Sequence, residues 1–230
     1  MIAYSIVIKD NVISETGYDK LAASSKHVGN DFTIQKFEAI TPPYVDDTLK
    51  QYGLKWNYPL QGKIVDFASG LEKSAYQTRD INKRIACALS HYLLWLTSIK
   101  LKQSVLVLEH DAIFSAAIDF QIEKTPFQIL GINNPLGCTR KSKEFYDSIV
   151  KTPSPYQPVP WIDEQKVPQG LAGNSAYIVT PQGAEQLKKL VKDYGLWPND
   201  AIMCRQLVRR LGVTKKFYTS IQNLRSTTTT

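Results

Sequence analysis

No apolar run in this chain comes near the length of a membrane-spanning helix. The opening Met1-Ile-Ala-Tyr-Ser-Ile-Val-Ile8 carries no basic leader and no small-residue cleavage site, so it reads as a first strand and not as an export signal. Cysteine is scarce. Cys87, Cys138 and Cys204 are odd in number and widely spaced, which argues against a disulfide framework and for a reducing compartment, and a cytoplasmic location is expected. Zinc-finger spacing, an aromatic RNA-binding signature, a glycine-rich phosphate loop and an internal repeat are all missing.

What is present in excess is positive charge. Against 21 acidic residues stand 28 basic ones, a net charge of +7 that favours polyanionic partners: sugar nucleotides, phosphorylated glycans, anionic membrane surfaces or nucleic acid. The basic residues are densest at 79–84, 140–143, 205–210 and 215–216, but they are spread along the chain, and a solvated basic surface accounts for them equally well. A length of 230 residues suits one substantial core. A single domain over 1–226 is expected, with Thr227 to Thr230 as a frayed tail.

The periodicity predicts alternating elements. Strands are expected over 2–8 and 32–39 with a helix over 16–28 between them, then an irregular excursion over 41–78 with one short helix near 45–52. From Asp80, a capping residue, Ile81, Ile85, Leu89, Tyr92, Leu93, Leu96 and Ile99 recur at helical spacing and mark a core helix. Apolar runs follow at Val105 and Phe127. Residues 141–165, with Pro153, Pro155, Pro158 and Pro160, read as a loop. A strand over 173–180 leads into a helix capped by Thr180, with Pro181 at its first position and Gly195 as its stop. Asn199 or Asp200 is expected to cap a last helix carrying Ile202, Met203, Leu207 and Leu211 and stopping at Gly212, before a final strand over 215–220. Such alternation predicts an α/β fold, a mostly parallel central sheet with helices on both faces.

The most informative segment is Ser104-Val-Leu-Val-Leu-Glu109-His110-Asp111. A short apolar run is the mark of a strand buried on both faces, and in open α/β sheets ligands gather at the carboxyl ends of such strands. Glu109 and Asp111 are thereby delivered to a crevice on one side of the departing chain, while His110 points elsewhere. Hard oxygen ligands of this kind suit Mg²⁺ or Mn²⁺ beside nucleotide phosphates. Short acidic pairs at strand ends also cap the next helix, so the spacing alone leaves both readings open.

Four segments in order resemble glycosyltransferase family 25, which includes lipopolysaccharide and collagen galactosyltransferases. They are Arg84-Ile-Ala-Cys-Ala-Leu-Ser-His91 with Trp95, Val105 through Ala112, Gly173-Asn-Ser-Ala-Tyr-Ile-Val-Thr-Pro-Gln-Gly-Ala184, and Trp197-Pro-Asn-Asp200. Phe37-Glu-Ala-Ile40 matches the end of that family's opening unit. The chain departs from the family at Arg84 and Ala86, where an acid and a glycine are usual, and at His110, where the triplet usually reads Glu-Asp-Asp. An arginine common after the first strand is also absent from residues 11–17.

The resemblance implies a GT-A fold and a metal-dependent, inverting transfer of a sugar from a nucleoside diphosphate, UDP-galactose being usual, to a hydroxyl of a glycan acceptor. On that reading Asp111 and Glu109 hold Mn²⁺ or Mg²⁺, and Asp200 is the candidate general base, its plain alternative being a helix cap. Arg84, together with Arg79, is a candidate for the diphosphate, and Asn174 and Ser175 for a sugar hydroxyl. His91 and Glu109 are further donor contacts; for His91 a hydrogen-bonded core position is the competing reading. The positive charge leaves open a modified base in DNA as acceptor, and a catalytically silent module that binds glycan or nucleic acid is the alternative from another class.

Overall fold

The computed structural model describes residues 1–138 and 141–224. Strand β1 (Ile2–Val7) is followed by helix α1 (Val12–His27) and strand β2 (Ile34–Glu38), and an excursion then carries α2 (Val45–Tyr52) and a hairpin of β3 (Lys63–Asp66) and β4 (Leu71–Ser74). Helix α3 (Ile81–Leu101) feeds β5 (Val105–Glu109), which turns sharply into β6 (Ala112–Phe114). Then come β7 (Ile129–Gly131), α4 (Ser142–Lys151), β8 (Tyr156–Pro158), β9 (Ala176–Val179), α5 (Pro181–Tyr194), the single turn α6 (Asn199–Ile202), β10 (Leu211–Thr214) and β11 (Thr219–Ile221).

The central sheet has seven strands in the order β2-β1-β5-β9-β7-β10-β8. β2, β1, β5, β7 and β10 run one way and β9 and β8 the other, so the sheet is mostly parallel as predicted. Residues Val105 to Leu108 of β5 are all 0% exposed, as expected of a strand covered on both faces. Their side chains alternate: Val105 and Val107 join Tyr177 and Val179 of β9 in a core beneath α3 and α5, while Leu106 and Leu108 join Ala176 and Ile178 in a core with Leu21 of α1. The tip of β5 is therefore held from two sides.

Helix α3 begins where Asp80 accepts a hydrogen bond from Asn82 N at 2.9 Å and ends at Lys102 in the left-handed region. Thr180 caps α5 by accepting from Gly183 N, with Pro181 at the first position and Gly195 at the stop. No helix among the described residues is long and apolar enough to cross a membrane.

Several local expectations are corrected. Helix α1 starts four residues early, capped by Asn11, because the exposed Val12 and Ile13 give its first turn no inward pattern. The irregular excursion holds a hairpin, and the expected proline loop holds α4, which buries Phe145 and Ile149 one turn apart, and β8. The expected last helix is one turn only. Arg205 N bonds Gln169 O at 2.9 Å, Gln169 N bonds the Gln206 side chain at 3.0 Å, and Cys204 bridges Gly170, so contacts across the chain interrupt the helix at Met203 and only a turn onto Cys204 O follows. Leu211 and Gly212 lie in β10, where any side chain at Gly212 would strike the Phe127 ring. The final strand begins later than expected, at Thr219; the tail 227–230 lies outside the described residues.

Candidate active site

At the carboxyl end of β5 the chain reverses through His110 and Asp111 into β6. The reversal is tied down from a distance. Gln222 N donates to Asp111 O at 2.8 Å, and Gln222 Nε2 sits 2.7 Å from Ala112 O, 2.9 Å from Gly17 O and 3.2 Å from His110 O. A Cβ at Gly17 would lie 2.6 Å from His110 O, so glycine is what lets α1 approach the turn. His110 directs its ring to the Ile6 carbonyl and stays close enough to Glu109 to feel its charge.

A cavity of about 230 Å³ opens beside this turn. Glu109 lines it from the end of β5 and Asp111 from the turn after it, Arg84 and Cys87 from α3, Asn174 and Ser175 from the approach to β9, and Asn199 and Asp200 from α6. Six of the eight residues singled out in the sequence thus converge on one pocket. His91 does not: it is 0% exposed and lies behind Glu109, with Nε2 3.2 Å from Glu109 Oε1. Its Nδ1 meets the Tyr177 hydroxyl at 3.0 Å, and that oxygen also accepts from Trp95 Nε1 at 2.8 Å. Arg79 is exposed and outside the pocket wall.

The polar atoms of this pocket are unusually short of partners. Arg84 Nε, Asp111 Oδ1, both side-chain atoms of Asn174, Ser175 Oγ and Asn199 Nδ2 are buried without a hydrogen bond among the described residues. Buried polar groups are normally paired, and leaving one unpaired costs on the order of 1–3 kcal/mol. Six such atoms facing one cavity describe a surface built for a polar ligand.

The carboxylates differ in their surroundings. Burial raises the Glu109 pKa, but the hydrogen bond with His91 and the attraction of His91, His110 and Arg84 outweigh it and leave Glu109 below its ordinary value. Asp111 has only its own backbone N–H as an offset: burial, with repulsion from Glu109, pushes it up to about 7. Asp200 is raised chiefly by burial, against a hydrogen bond from the Tyr76 hydroxyl and the charge of Arg84. The expectation of Asn199 or Asp200 as a cap is corrected here, since Pro198 occupies the cap position and no side chain caps α6. Arg84 stacks over the Tyr76 ring at 5.1 Å and donates to Gln77 O, which holds the guanidinium at the pocket edge.

Sequence reasoning missed Tyr76, Cys138, Asn199 and Gln222. None belongs to an acid pair or a strand end, although Asn199 stands beside Asp200 in a segment already singled out. Cys87, His91 and Glu109 offer donor atoms within 4.8 Å of one another, but His91 is fully buried and does not line the pocket. Burial pushes the Cys87 thiol well above its ordinary value, which keeps it protonated.

A sequence profile for "Glycosyltransferase family 25 (LPS biosynthesis protein)" matches residues 24–203. No curated protein sequence matches significantly. Among solved structures, the chain is similar to galactosyltransferase LgtC in complex with donor and acceptor sugar analogues, with a TM-score of 0.44 and 8% identity over 93% of this chain and 73% of that one. It is also similar to mouse xyloside xylosyltransferase 1, with a TM-score of 0.40 and 9% identity over 88% of this chain and 80% of that one.

Proposed function

The chain belongs to glycosyltransferase family 25, and from that membership we propose an inverting transfer of a sugar from a nucleoside diphosphate to a glycan hydroxyl, assisted by Mn²⁺ or Mg²⁺ at Glu109 and Asp111. The observation that carries it is the pocket in which three carboxylates, an arginine and six unpartnered buried polar atoms face one cavity. The donor set fits a hard divalent cation, because Asp111 Oδ1 is buried and unpaired among the described residues and both ligands are carboxylates. When bound, such a cation neutralises charge on the departing diphosphate.

The chain's own residues do the rest. Arg84, stacked on Tyr76, offers its free Nε–H to a phosphate oxygen. His91 braces Glu109 from behind, in the manner of an outer-shell partner that fixes a ligand's orientation. Asn174, Ser175 and Asn199 supply donors and acceptors of the kind that orient sugar hydroxyls. Asp200, raised above the ordinary carboxylate range, takes the proton of the attacking hydroxyl; a base works best when its pKa approaches the working pH.

A thermal-shift panel of nucleoside-diphosphate sugars with and without Mn²⁺ tests the reading, since a ligand that binds the native state raises its stability. The expected result is a metal-dependent shift with one preferred donor and slow release of nucleoside diphosphate from it. A donor that binds but is never hydrolysed or transferred points to the silent binding module. A full response in excess chelator overturns the metal assignment.

A further inference from the structure

A larger cavity lies elsewhere, between α2, α3 and α5. It encloses about 750 Å³ and has no role in the chemistry above. We propose that it is a second carbohydrate site, which holds an acidic segment of the acceptor glycan; this rests on the reading that the acceptor is a glycan.

Aromatic faces supply the first argument. Tyr52, Trp56, Tyr92 and Tyr194 line the groove, with Tyr92 buried as floor and Tyr52 edge-on to it at 6.2 Å. Flat, amphipathic rings of this kind offer an apolar body to the C–H faces of sugars and a polar tip to their hydroxyls. The Trp56 indole N–H is buried and has no acceptor among the described residues, so it can donate to one. Asn57 adds a polar group beside it.

Charge supplies the second. Lys55, Lys188, Lys189 and Lys192 line the groove together with Glu185 and Asp193. The two acids are paired, Lys188 with Glu185 at 3.7 Å and Lys189 with Asp193 at 2.6 Å, whereas Lys55 and Lys192 have no acidic partner among the described residues. Two free cations beside two neutralised pairs suit a sparsely charged ligand, such as a glycan with an occasional carboxylate or phosphate. A polymer with a phosphate at every unit would face Glu185 and Asp193 as well.

Rigidity and position supply the third. Leu196 N donates to Lys55 O at 2.8 Å, Asn57 N donates to Leu196 O at 3.0 Å, and Asn57 Nδ2 donates to Tyr194 O at 2.7 Å, so the walls are laced together before any ligand arrives. Gly195 on the groove wall and Pro198 on the catalytic pocket are three residues apart in the chain. A span of that length is at most about 11 Å, within reach of one oligosaccharide.

The test uses an α2,8-linked sialic acid trimer as the acidic probe, maltotriose as the neutral one and a short oligothymidylate as the nucleic-acid one. Binding is measured by calorimetry on the full chain and on the Lys55→Ala/Lys192→Ala variant, with donor hydrolysis measured in parallel. The expected result is that the sialic acid trimer binds the native chain and binds the variant at least tenfold more weakly, while donor hydrolysis is unchanged. Equal binding to both proteins, no binding of the acidic probe, or tighter binding of oligothymidylate overturns the proposal. No donor hydrolysis by the native chain with probe binding intact would instead overturn the catalytic reading and the acceptor role, and leave a site for acidic glycans.

Discussion

Glu109 and Asp111 stand two positions apart at the tip of β5, yet His91 holds the first below its ordinary pKa while burial pushes the second up to about 7. Environments that separate two acids in this way assign them different duties. Asp111 carries a charge at a cost to the fold. Its pKa is raised above the ordinary 3.8, so the folded chain holds this proton more tightly than the unfolded chain, and stability falls as pH rises from about 4 to about 7. A tenfold difference in proton affinity between the two states is worth about 1.4 kcal/mol, so Asp111→Asn should stabilise the metal-free protein at pH 8 by up to about 4 kcal/mol and leave it unchanged at pH 4. Denaturant midpoints at the two pH values decide it. The same variant should lose most of its transfer activity and its Mn²⁺-dependent donor binding.

The linked prediction concerns metal uptake. A ligand that is protonated below about pH 7 must release its proton when a cation binds. Apparent Mn²⁺ affinity should fall about tenfold per pH unit below 7 and level off above it. Calorimetry in buffers of different ionisation enthalpy should show about one proton released at pH 6 and almost none at pH 8.5. Equal proton release at both values would mean that Asp111 is not a ligand.

Asp200 makes a separable demand. Asn keeps the shape and can still accept from Tyr76, so Asp200→Asn should fold and bind donor normally while its transfer rate drops by about 10²–10⁴. Tyr76→Phe sharpens the assignment. The Tyr76 hydrogen bond lowers the Asp200 pKa, so its loss raises that pKa further, and the acid limb of the rate profile should move to higher pH. A profile that does not move, or native transfer by Asp200→Asn, places the base elsewhere.

Six of the eight residues singled out in the sequence meet in one pocket because strand ends and helix starts leave local marks. The Val105 to Glu109 run announces a buried strand and its exit, and Thr180-Pro181 announces a helix. The parts that stayed hidden depend on partners far along the chain. Gln222 reaches across 205 positions to Gly17, and no local pattern reports that. Leu207 and Leu211 fall at helical spacing, yet the Gln169 and Gly170 contacts pull this stretch away from a helix into the approach to β10. Helix α4 had a usable signal in Phe145 and Ile149, but the prolines that follow it masked the pattern.

Tyr177 links two buried rings to the site. Tyr177→Phe deletes the oxygen that accepts from Trp95 Nε1 and meets His91 Nδ1, leaving both groups unpaired in the core. The cost should be about 1–3 kcal/mol in stability. His91 would also lose the contact that fixes its ring behind Glu109, so Mn²⁺ affinity should fall by about 10- to 100-fold, as when an outer-shell partner is removed from a metal site. An equal loss of stability with unchanged Mn²⁺ affinity would show that the Trp95–Tyr177–His91 chain serves packing alone.

Gln222 offers the sharpest test of how the turn is held. Its backbone and side chain together reach four carbonyls, those of Gly17, His110, Asp111 and Ala112, and nothing about it suggests contact with a substrate, since it does not line the pocket. Gln222→Leu keeps the backbone bond to Asp111 and the approximate volume but removes the amide that gathers the other three. Loosening the turn should let Asp111 swing away from Glu109, so metal affinity and transfer should both fall at least tenfold. Stability should drop by only about 1–3 kcal/mol, the scale of a few lost hydrogen bonds. Saturating Mn²⁺ should then restore much of the rate, because the carboxylates themselves are intact and only their spacing has been released. A variant with native Mn²⁺ affinity would show that β5 and β6 hold the pair unaided; one whose rate does not recover at any Mn²⁺ concentration would show that Gln222 serves the reaction by another route.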